Sequence, residues 1–463
     1  MRNGRLIGLV CGVAFVAGGG LAQQPGNPLV NAPGDVLTRV ENTSRLWTLE
    51  SSVTMVRLDR MRYPDWRVMG QGHTGRRLPP PLTDLSTRDV AGYRGFPEHT
   101  FVMPMVFESS GSVAYPDRAF MRVLQREPYS GQRRLGPDTE PVRDVTVTNT
   151  PVLIRTDPDS FGTIEIGVPA LSTRTLDVGA EVHVRTWETR IDERAADAIG
   201  WPSGDWPDEL ARYLVAETYV KPDAEQIVAA VNECTTEEPE ARLRPYATAK
   251  RIAACVMPLL RVDEQLQIEV EYEATHCPVA GTPIVNMTTT PRPIGEGPLV
   301  FGSVPMASSG VGTSHDVAAL MCAVYRAAGL PARLVVGVDV ERQAERGIND
   351  ALTLRSWCEF ALYDEARGVV EWIPVDIARQ IEWSSRTPPL TEAWQYFGNH
   401  DGLDTTVPIS NHFVIPGTGS PLIRPGLWGY RGVRSLPPMA TSVGYSAQPV
   451  SVRADDPPDP YAP

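Results

Sequence analysis

The sequence lacks the hallmarks of several large functional classes. Its six cysteines form no CxxC pair and no spacing typical of a zinc site. No glycine-rich phosphate loop stands between a predicted strand and a predicted helix. Beyond the first residues, no apolar run is long enough to cross a bilayer. We therefore expect no metal, no other cofactor and no membrane span in the mature protein.

Positive charge is also in short supply. The chain has 43 lysines and arginines against 56 acidic residues, which gives a net charge of −13. This balance argues against nucleic acid or an anionic membrane surface as a partner. What is present is enough apolar material, 42% of 463 residues, for two or three domains with a large core.

Residues 1–22 predict a secretory signal peptide. Arg2 and Arg5 precede a short apolar run over residues 6–16, and small residues suited to cleavage follow. The alternative is an uncleaved anchor. A cleaved signal makes the protein secreted or periplasmic, where disulfides can form. Without Cys11, five cysteines are left, so at least one is unpaired in a monomer.

The rest of the chain divides by composition and pattern. Residues 23–99 predict a linker or irregular region, and residues 100–200 alternate apolar and polar side chains as strands of a sandwich-like domain do. Helical and strand patterns then mix over residues 205–415, including a predicted strand at 266–272. The Pro-rich residues 431–463 predict a disordered tail.

The most regular pattern lies within GVGTSHDVAALMCAVYRAAGLPARLVVGVDV, residues 310–340. Apolar side chains at helical spacing predict a helix from about Ser314 to Ala328, which Gly329 ends. A buried strand and two further strands, TLRSWCEFALYD and GVVEWIPVDI, should follow.

Three motifs, RAAGLPAR, EWIPVD and YFGNHDG, resemble the transglutaminase-like superfamily and, within it, bacterial secreted members. The resemblance covers about residues 205–415 and implies a fold related to papain-like thiol proteases. The expected fold class is thus α+β: a helix bundle on an antiparallel sheet, preceded by the β-rich domain.

The resemblance also implies a catalytic triad. A cysteine at a helix N-terminus, where the thiolate is favoured, lies within Gly-x-Cys, a general base begins His-x-Trp, and an orienting carboxylate ends Trp-x-Pro-x-Asp. The matching residues of this sequence are Ser314, Arg355 and Asp376. Only the carboxylate is retained, so the triad is degraded.

An arginine cannot act as the base because its guanidinium stays protonated in proteins. We expect Arg355 to pair with Asp376 and also with Glu359, which shares its strand face. Ser314 is interpreted as a helix N-cap. Trp357 is the expected wall of the cleft, with His315, exposed or capping, and Glu359 as further candidate binding residues.

These residues favour a pseudoenzyme that binds a peptide, a peptide-linked glycan or a cell-envelope protein in the former cleft. The alternative is an active peptidase, amidase or acyl transferase that uses Ser314 with His315, His400 or His412 as the base. A third hypothesis assigns the function to the β-rich half alone.

Overall fold

The structure is a computed structural model that describes part of the residues of the chain. These are 36–57, 96–126, 144–146, 152–156, 161–171, 175–235, 243–263, 298–341, 354–384, 386–419, 425, 427–434, 436 and 439–450. The predicted signal peptide and the predicted strand at 266–272 lie outside them.

The described chain forms eighteen strands, seven α-helices and three short 3-10 helices. The strands are β1 Leu37–Arg39, β2 Arg45–Arg57, β3 His99–Val106, β4 Glu108–Ser109, β5 Ser112–Arg126, β6 Asp144–Thr146, β7 Val152–Thr156, β8 Phe161–Val168, β9 Thr175–Thr186, β10 Thr189–Ile191, β11 Arg261–Val262, β12 Val311–Gly312, β13 Ala332–Asp339, β14 Leu354–Asp364, β15 Val369–Val375, β16 Thr406–Ser410, β17 Gly429–Arg431 and β18 Met439–Pro449. The helices are α1 Glu193–Ala198, α2 Asp208–Ala211, α3 Glu225–Cys234, α4 Pro245–Val256, α5 Ser303–Ser309, α6 Ser314–Ala327 and α7 Ile377–Trp383. The 3-10 helices are Glu41–Thr43, Arg212–Leu214 and Met257–Leu259.

Two antiparallel sheets make up the β-rich half. One has the strand order β18-β2-β9-β5-β4, with β6 paired to β5, and the other has the order β17-β3-β8-β7. Leu49 and Val182 of the first sheet line one small apolar cavity with Met103 and Ile164 of the second. The two sheets therefore face each other across a shared core, which the alternating apolar residues fill.

The predicted irregular region, residues 23–99, is wrong where the structure describes residues 36–57. Strand β2 pairs with β9 on one side and with β18 on the other, and every second side chain from Trp47 to Met55 is buried. Trp47 and Thr48 pair with Pro449 and Gln448 at the far end of the chain. This long-range pairing fixes the strand, and local sequence does not reveal it.

The predicted disordered tail is wrong for the same reason. Strand β18 lies inside residues 431–463 and buries Val443, Tyr445 and Ala447 on alternate positions. Strand β17 adds to β3 of the other sheet. The C-terminal segment thus completes both sheets, and the α+β core is inserted between β10 and β17.

Helix α6 is the centre of that core, and it confirms the predicted α+β architecture. It packs on β13 and β14 of a four-stranded antiparallel sheet with the order β15-β14-β13-β16, and it contacts α3, α4, α5 and α7. Gly329, with a φ of 82°, follows the helix in the left-handed conformation that glycine adopts without strain.

A disulfide links Cys234 and Cys255, on α3 and α4, whereas Cys322 and Cys358 are buried free thiols. In the described parts of the chain, no helix combines the length and apolar character that a membrane crossing requires.

Candidate functional site

Helix α6 begins at Ser314, the residue that the sequence motifs match to a nucleophile. Thr313, not Ser314, is the N-cap, so the predicted capping role is off by one residue. Thr313 and Asp316 form a capping box: Thr313 N donates to Asp316 Oδ2 at 2.9 Å, and Asp316 N donates to Thr313 Oγ1 at 3.3 Å. Ser314 is the first helical residue and is half-buried.

Strand β14 carries Arg355, which is only 4% exposed and is held among three carboxylates. Its Nη1 lies 3.2 Å from Asp339 Oδ2, its Nε 3.3 Å from Asp376 Oδ2 and its Nη2 3.6 Å from Glu382 Oε2. The pair with Asp376 is the one that the sequence predicts. The guanidinium is thus surrounded by carboxylates and, because it stays protonated, it cannot itself accept a proton.

Asp376 is the N-cap of α7, where its Oδ1 accepts a hydrogen bond from Arg379 N at 2.9 Å. Burial by itself would raise the pKa of this carboxyl, but Arg355 and His400 beside it, with the Arg379 N–H, lower the pKa to about 2. The carboxylate is therefore ionised at neutral pH and serves as an anchor for neighbouring cationic groups.

Among the histidines that the structure describes, His400 is the one that lies beside Asp376. Its Nε2 lies 3.5 Å from Asp376 Oδ2, and its backbone exchanges two hydrogen bonds with Thr189 of β10. The ring is fully buried, and this burial lowers the pKa of His400 despite the nearby carboxylate. The histidine is thus neutral at pH 7 and closed off from solvent.

Glu359 does not lie among the ion pairs of Arg355, contrary to the prediction. Arg333 donates from Nε and Nη2 to Glu359 Oε2, at 2.9 and 2.7 Å. Glu359 Oε1 accepts hydrogen bonds from Ser110 N, Ser110 Oγ and Trp357 Nε1, at 3.0, 2.6 and 3.1 Å. This fully buried group joins the core sheet to the β-rich half, which gives it a structural role.

Trp357 was the predicted wall of the cleft, but the structure buries it. Its ring packs in a small cluster with Val335 and Leu403 and is 1% exposed. A ligand cannot reach this ring in the described conformation. The physical reason is that the face of β14 with Trp357 is covered by the chain that leads into β16.

His315 is likewise neither exposed nor a cap. Its Nδ1 lies 2.8 Å from Ser356 Oγ, and its ring meets Phe413 edge-on. Ser356 belongs to the face of β14 that α6 covers, which is opposite to the face of Arg355 because side chains alternate along a strand. The bond fixes His315 between helix and sheet.

The third candidate base, His412, pairs with a different acid. Its Nδ1 lies 2.7 Å from Glu217 Oε2, and Arg326 Nη2 donates to the other oxygen at 2.6 Å. Burial would raise the pKa of Glu217, but His412 and Arg326 lower it to about 2. His412 therefore helps to anchor the segment after β16 to the core.

Two residues of the site escape prediction from the sequence. Asp339, the second acid of Arg355, ends the apolar strand β13, and a single acid after an apolar run is the only signal of it. The second residue is Arg379, whose Nη2 lies 3.6 Å from Asp339 Oδ2.

Within the described residues, no group of three or more histidine, cysteine or acidic side chains could hold a metal ion.

Comparison with known proteins identifies one segment. Residues 295–377 match the family model of the transglutaminase-like superfamily. No curated protein matches the chain. The crystal structure of a candidate cysteine protease from Cytophaga hutchinsonii is 10% identical, with a TM-score of 0.43, over 90% of this chain and 94% of its own. A candidate protease from Parabacteroides distasonis is 12% identical, with a TM-score of 0.20, over 74% of this chain and 62% of its own.

Proposed function

Since residues 295–377 carry a transglutaminase-like core, we propose that the protein is a catalytically inactive relative of that superfamily's thiol enzymes. It binds an extended peptide or a peptide-linked glycan at the remains of the cleft. The single observation that carries the first part is the ion pair between Asp376 and Arg355, the residue that motif spacing matches to the family's base, at 3.3 Å.

The chemistry of attack supports inactivity. A serine hydroxyl needs a general base to take its proton, and a guanidinium cannot accept one. The ion pairs with Asp339, Asp376 and Glu382 hold the Arg355 side chain in its buried position. Two of the three histidines that could replace it, His315 and His412, are bonded to Ser356 and Glu217.

The accessible part of the former cleft supports a binding role. Helix α7 begins after Asp376 and ends with Trp383, which is 62% exposed. It is the one aromatic residue among the large exposed hydrophobics of the described chain. Helix α7 also contacts β11, which pairs with β12 just before Ser314. The exposed ring of Trp383 is suited to stack on an apolar group or a sugar ring of a ligand. The neighbouring Glu382 can accept a hydrogen bond from a polar group of the same ligand.

Inactivity is tested by incubating the purified protein with a labelled amine, glutamine-containing peptides and soluble peptidoglycan fragments. We expect neither acyl transfer nor hydrolysis above a protein-free control. Turnover that disappears in Ser314→Ala would overturn the proposal. A fluorophosphonate probe, which labels activated serines, should likewise leave Ser314 unmodified.

Binding is tested with the same peptidoglycan fragments and with a labelled peptide library. Trp383→Ala should weaken binding at least about tenfold, the loss typical of a buried aromatic contact. Val228→Ala, which truncates another exposed apolar side chain on α3, is the matched control and should bind as the unsubstituted protein does. Equal affinities for both variants would remove Trp383 from the binding surface.

A second candidate function is favoured by His400 beside Asp376. In many hydrolases a histidine acts as the general base and a neighbouring carboxylate orients it. In this alternative the protein is a peptidase or amidase with Ser314 as nucleophile and His400 as base. Its test is the fluorophosphonate probe applied to His400→Leu, since labelling of Ser314 that depends on His400 supports an enzyme.

A further inference from the structure

Two free thiols meet inside the core, where the proposed function does not use them. Cys322 lies in the middle of α6 and Cys358 lies on β14, and their sulfur atoms are 3.2 Å apart. Both residues are fully buried. We propose that these two thiols are oxidised to a second intrachain disulfide when the chain folds in an oxidising environment.

The packing around the pair fixes how the thiols face each other. On one side His315 is bonded to Ser356, and on the other the rings of Tyr325 and Phe360 lie 5.4 Å apart. Helix and strand are thus held together on both sides of the sulfurs. A disulfide needs its sulfurs about 2.05 Å apart, so an approach of about 1 Å completes the bond.

The same chain already forms one disulfide between neighbouring elements, Cys234–Cys255. A compartment that oxidises this pair supplies the conditions for a second one. In the reduced state, the two buried thiols form a weak hydrogen bond, in which Cys322 Sγ donates to Cys358 Sγ at 3.2 Å.

The oxidant is a disulfide, either of a thiol–disulfide oxidoreductase or of a small molecule such as glutathione. One cysteine thiolate attacks the oxidant, forms a mixed disulfide and releases one thiol. The second cysteine thiolate then attacks the mixed disulfide and releases the other thiol. The protein loses two protons and two electrons, and the oxidant takes up both to become two thiols.

The reaction belongs to folding rather than to the folded state. Burial is the main cause that raises the pKa of Cys358 well above its ordinary value, and contact with Cys322 adds to it. The thiolate is therefore scarce once α6 covers β14. Formed during folding, the bond joins the helix that begins at Ser314 to the strand that carries Arg355.

The test follows both disulfides in one sample. Reduced, denatured protein is refolded with reduced and oxidised glutathione until Cys234–Cys255 is oxidised, free thiols are alkylated in denaturant, and the digest is mapped by mass spectrometry. We expect a peptide pair joined through Cys322 and Cys358 in most chains. The proposal is overturned if both of these cysteines are alkylated while Cys234–Cys255 is linked, or if either is joined instead to Cys277, the fifth cysteine of the chain without its signal peptide.

Two variants check the assignment. In Cys322→Ala, the thiol of Cys358 should become alkylated, and in Cys358→Ala that of Cys322 should. Because either substitution could impair folding, the peptide map of the unsubstituted protein decides the proposal. A second measurement starts from protein folded with both thiols reduced. Added glutathione disulfide should oxidise this pair many times more slowly than it does during refolding, and oxidation at equal rates would contradict the role of burial.

Discussion

Arg355 Nε lies 3.3 Å from Asp376 Oδ2, and both side chains are almost inaccessible to solvent. The guanidinium also contacts Asp339, so two buried carboxylates share this cation. Removing one partner of a buried ion pair costs more than the pair contributes, because the other charge stays buried without compensation.

The first prediction concerns Arg355→Met, which keeps an unbranched side chain but removes its charge. We expect the free energy of unfolding to fall by about 3–5 kcal/mol, since Asp339 and Asp376 lose their main cation. Urea unfolding at neutral pH measures this loss.

The matched control is Arg367→Met. Arg367 pairs with Asp364 at 2.5 Å, but the two side chains are 41% and 24% exposed. Exposed pairs contribute about 0–1 kcal/mol, so this variant should unfold close to the unsubstituted protein. If both variants unfold at the same urea concentration, the network around Arg355 does not stabilise the fold.

The second prediction concerns the junction of the two halves. In Glu359→Gln the Arg333 guanidinium stays buried without its carboxylate, and the acceptor of the Ser110 hydrogen bonds is weakened. We expect a loss of about 3–5 kcal/mol of unfolding free energy and faster amide hydrogen exchange at Ser110. Asp364→Asn, which changes a partly exposed acid at the end of β14, is the control. Unchanged exchange at Ser110 would show that this bond does not hold the halves together.

Whether an element or a site contact could be predicted from the sequence depends on how near in the sequence its partners lie. Helix α6 and the strands after it are predicted by apolar spacing within one short stretch. The motifs also predict the pair between Arg355 and Asp376. The partners of Glu359 come from β13 and from the turn before β5, so its strand face could be predicted but its neighbours could not. Strand β18 has only small or weakly apolar residues at several positions, and its partner β2 lies almost a chain length away.

The third prediction is a pH dependence that arises from His400. Burial lowers its pKa below the ordinary value of 6.5, so the unfolded chain binds a proton more readily than the folded chain does. The stabilisation by neutral His400 is therefore complete above pH 6.5 and is lost as the pH falls below it. Unfolding free energies measured between pH 7 and pH 5 should fall less steeply in His400→Leu than in the unsubstituted protein.

A comparison variant is available for this measurement. Burial also lowers the pKa of His99 on β3, so His99→Leu should reduce the same slope, and the double variant should reduce it further. Equal slopes for the unsubstituted protein and both single variants would mean that neither buried ring is kept neutral by folding.

The fourth prediction tests the C-terminal strand, where a disordered tail was expected. A chain that ends at residue 438 lacks β18, which pairs with β2 along its whole length and buries Val443, Tyr445 and Ala447. Burial of a large apolar side chain contributes about 1.5–3 kcal/mol, and the lost strand also exposes the edge of β2. Because domains are stable by only about 5–15 kcal/mol, we expect the truncated protein to aggregate or to unfold without a cooperative transition in circular dichroism.

A chain that ends at Val450 keeps the strand and is the control, and it should unfold at the temperature of the full chain. Cooperative unfolding of the shorter chain at that same temperature would instead support a dispensable tail.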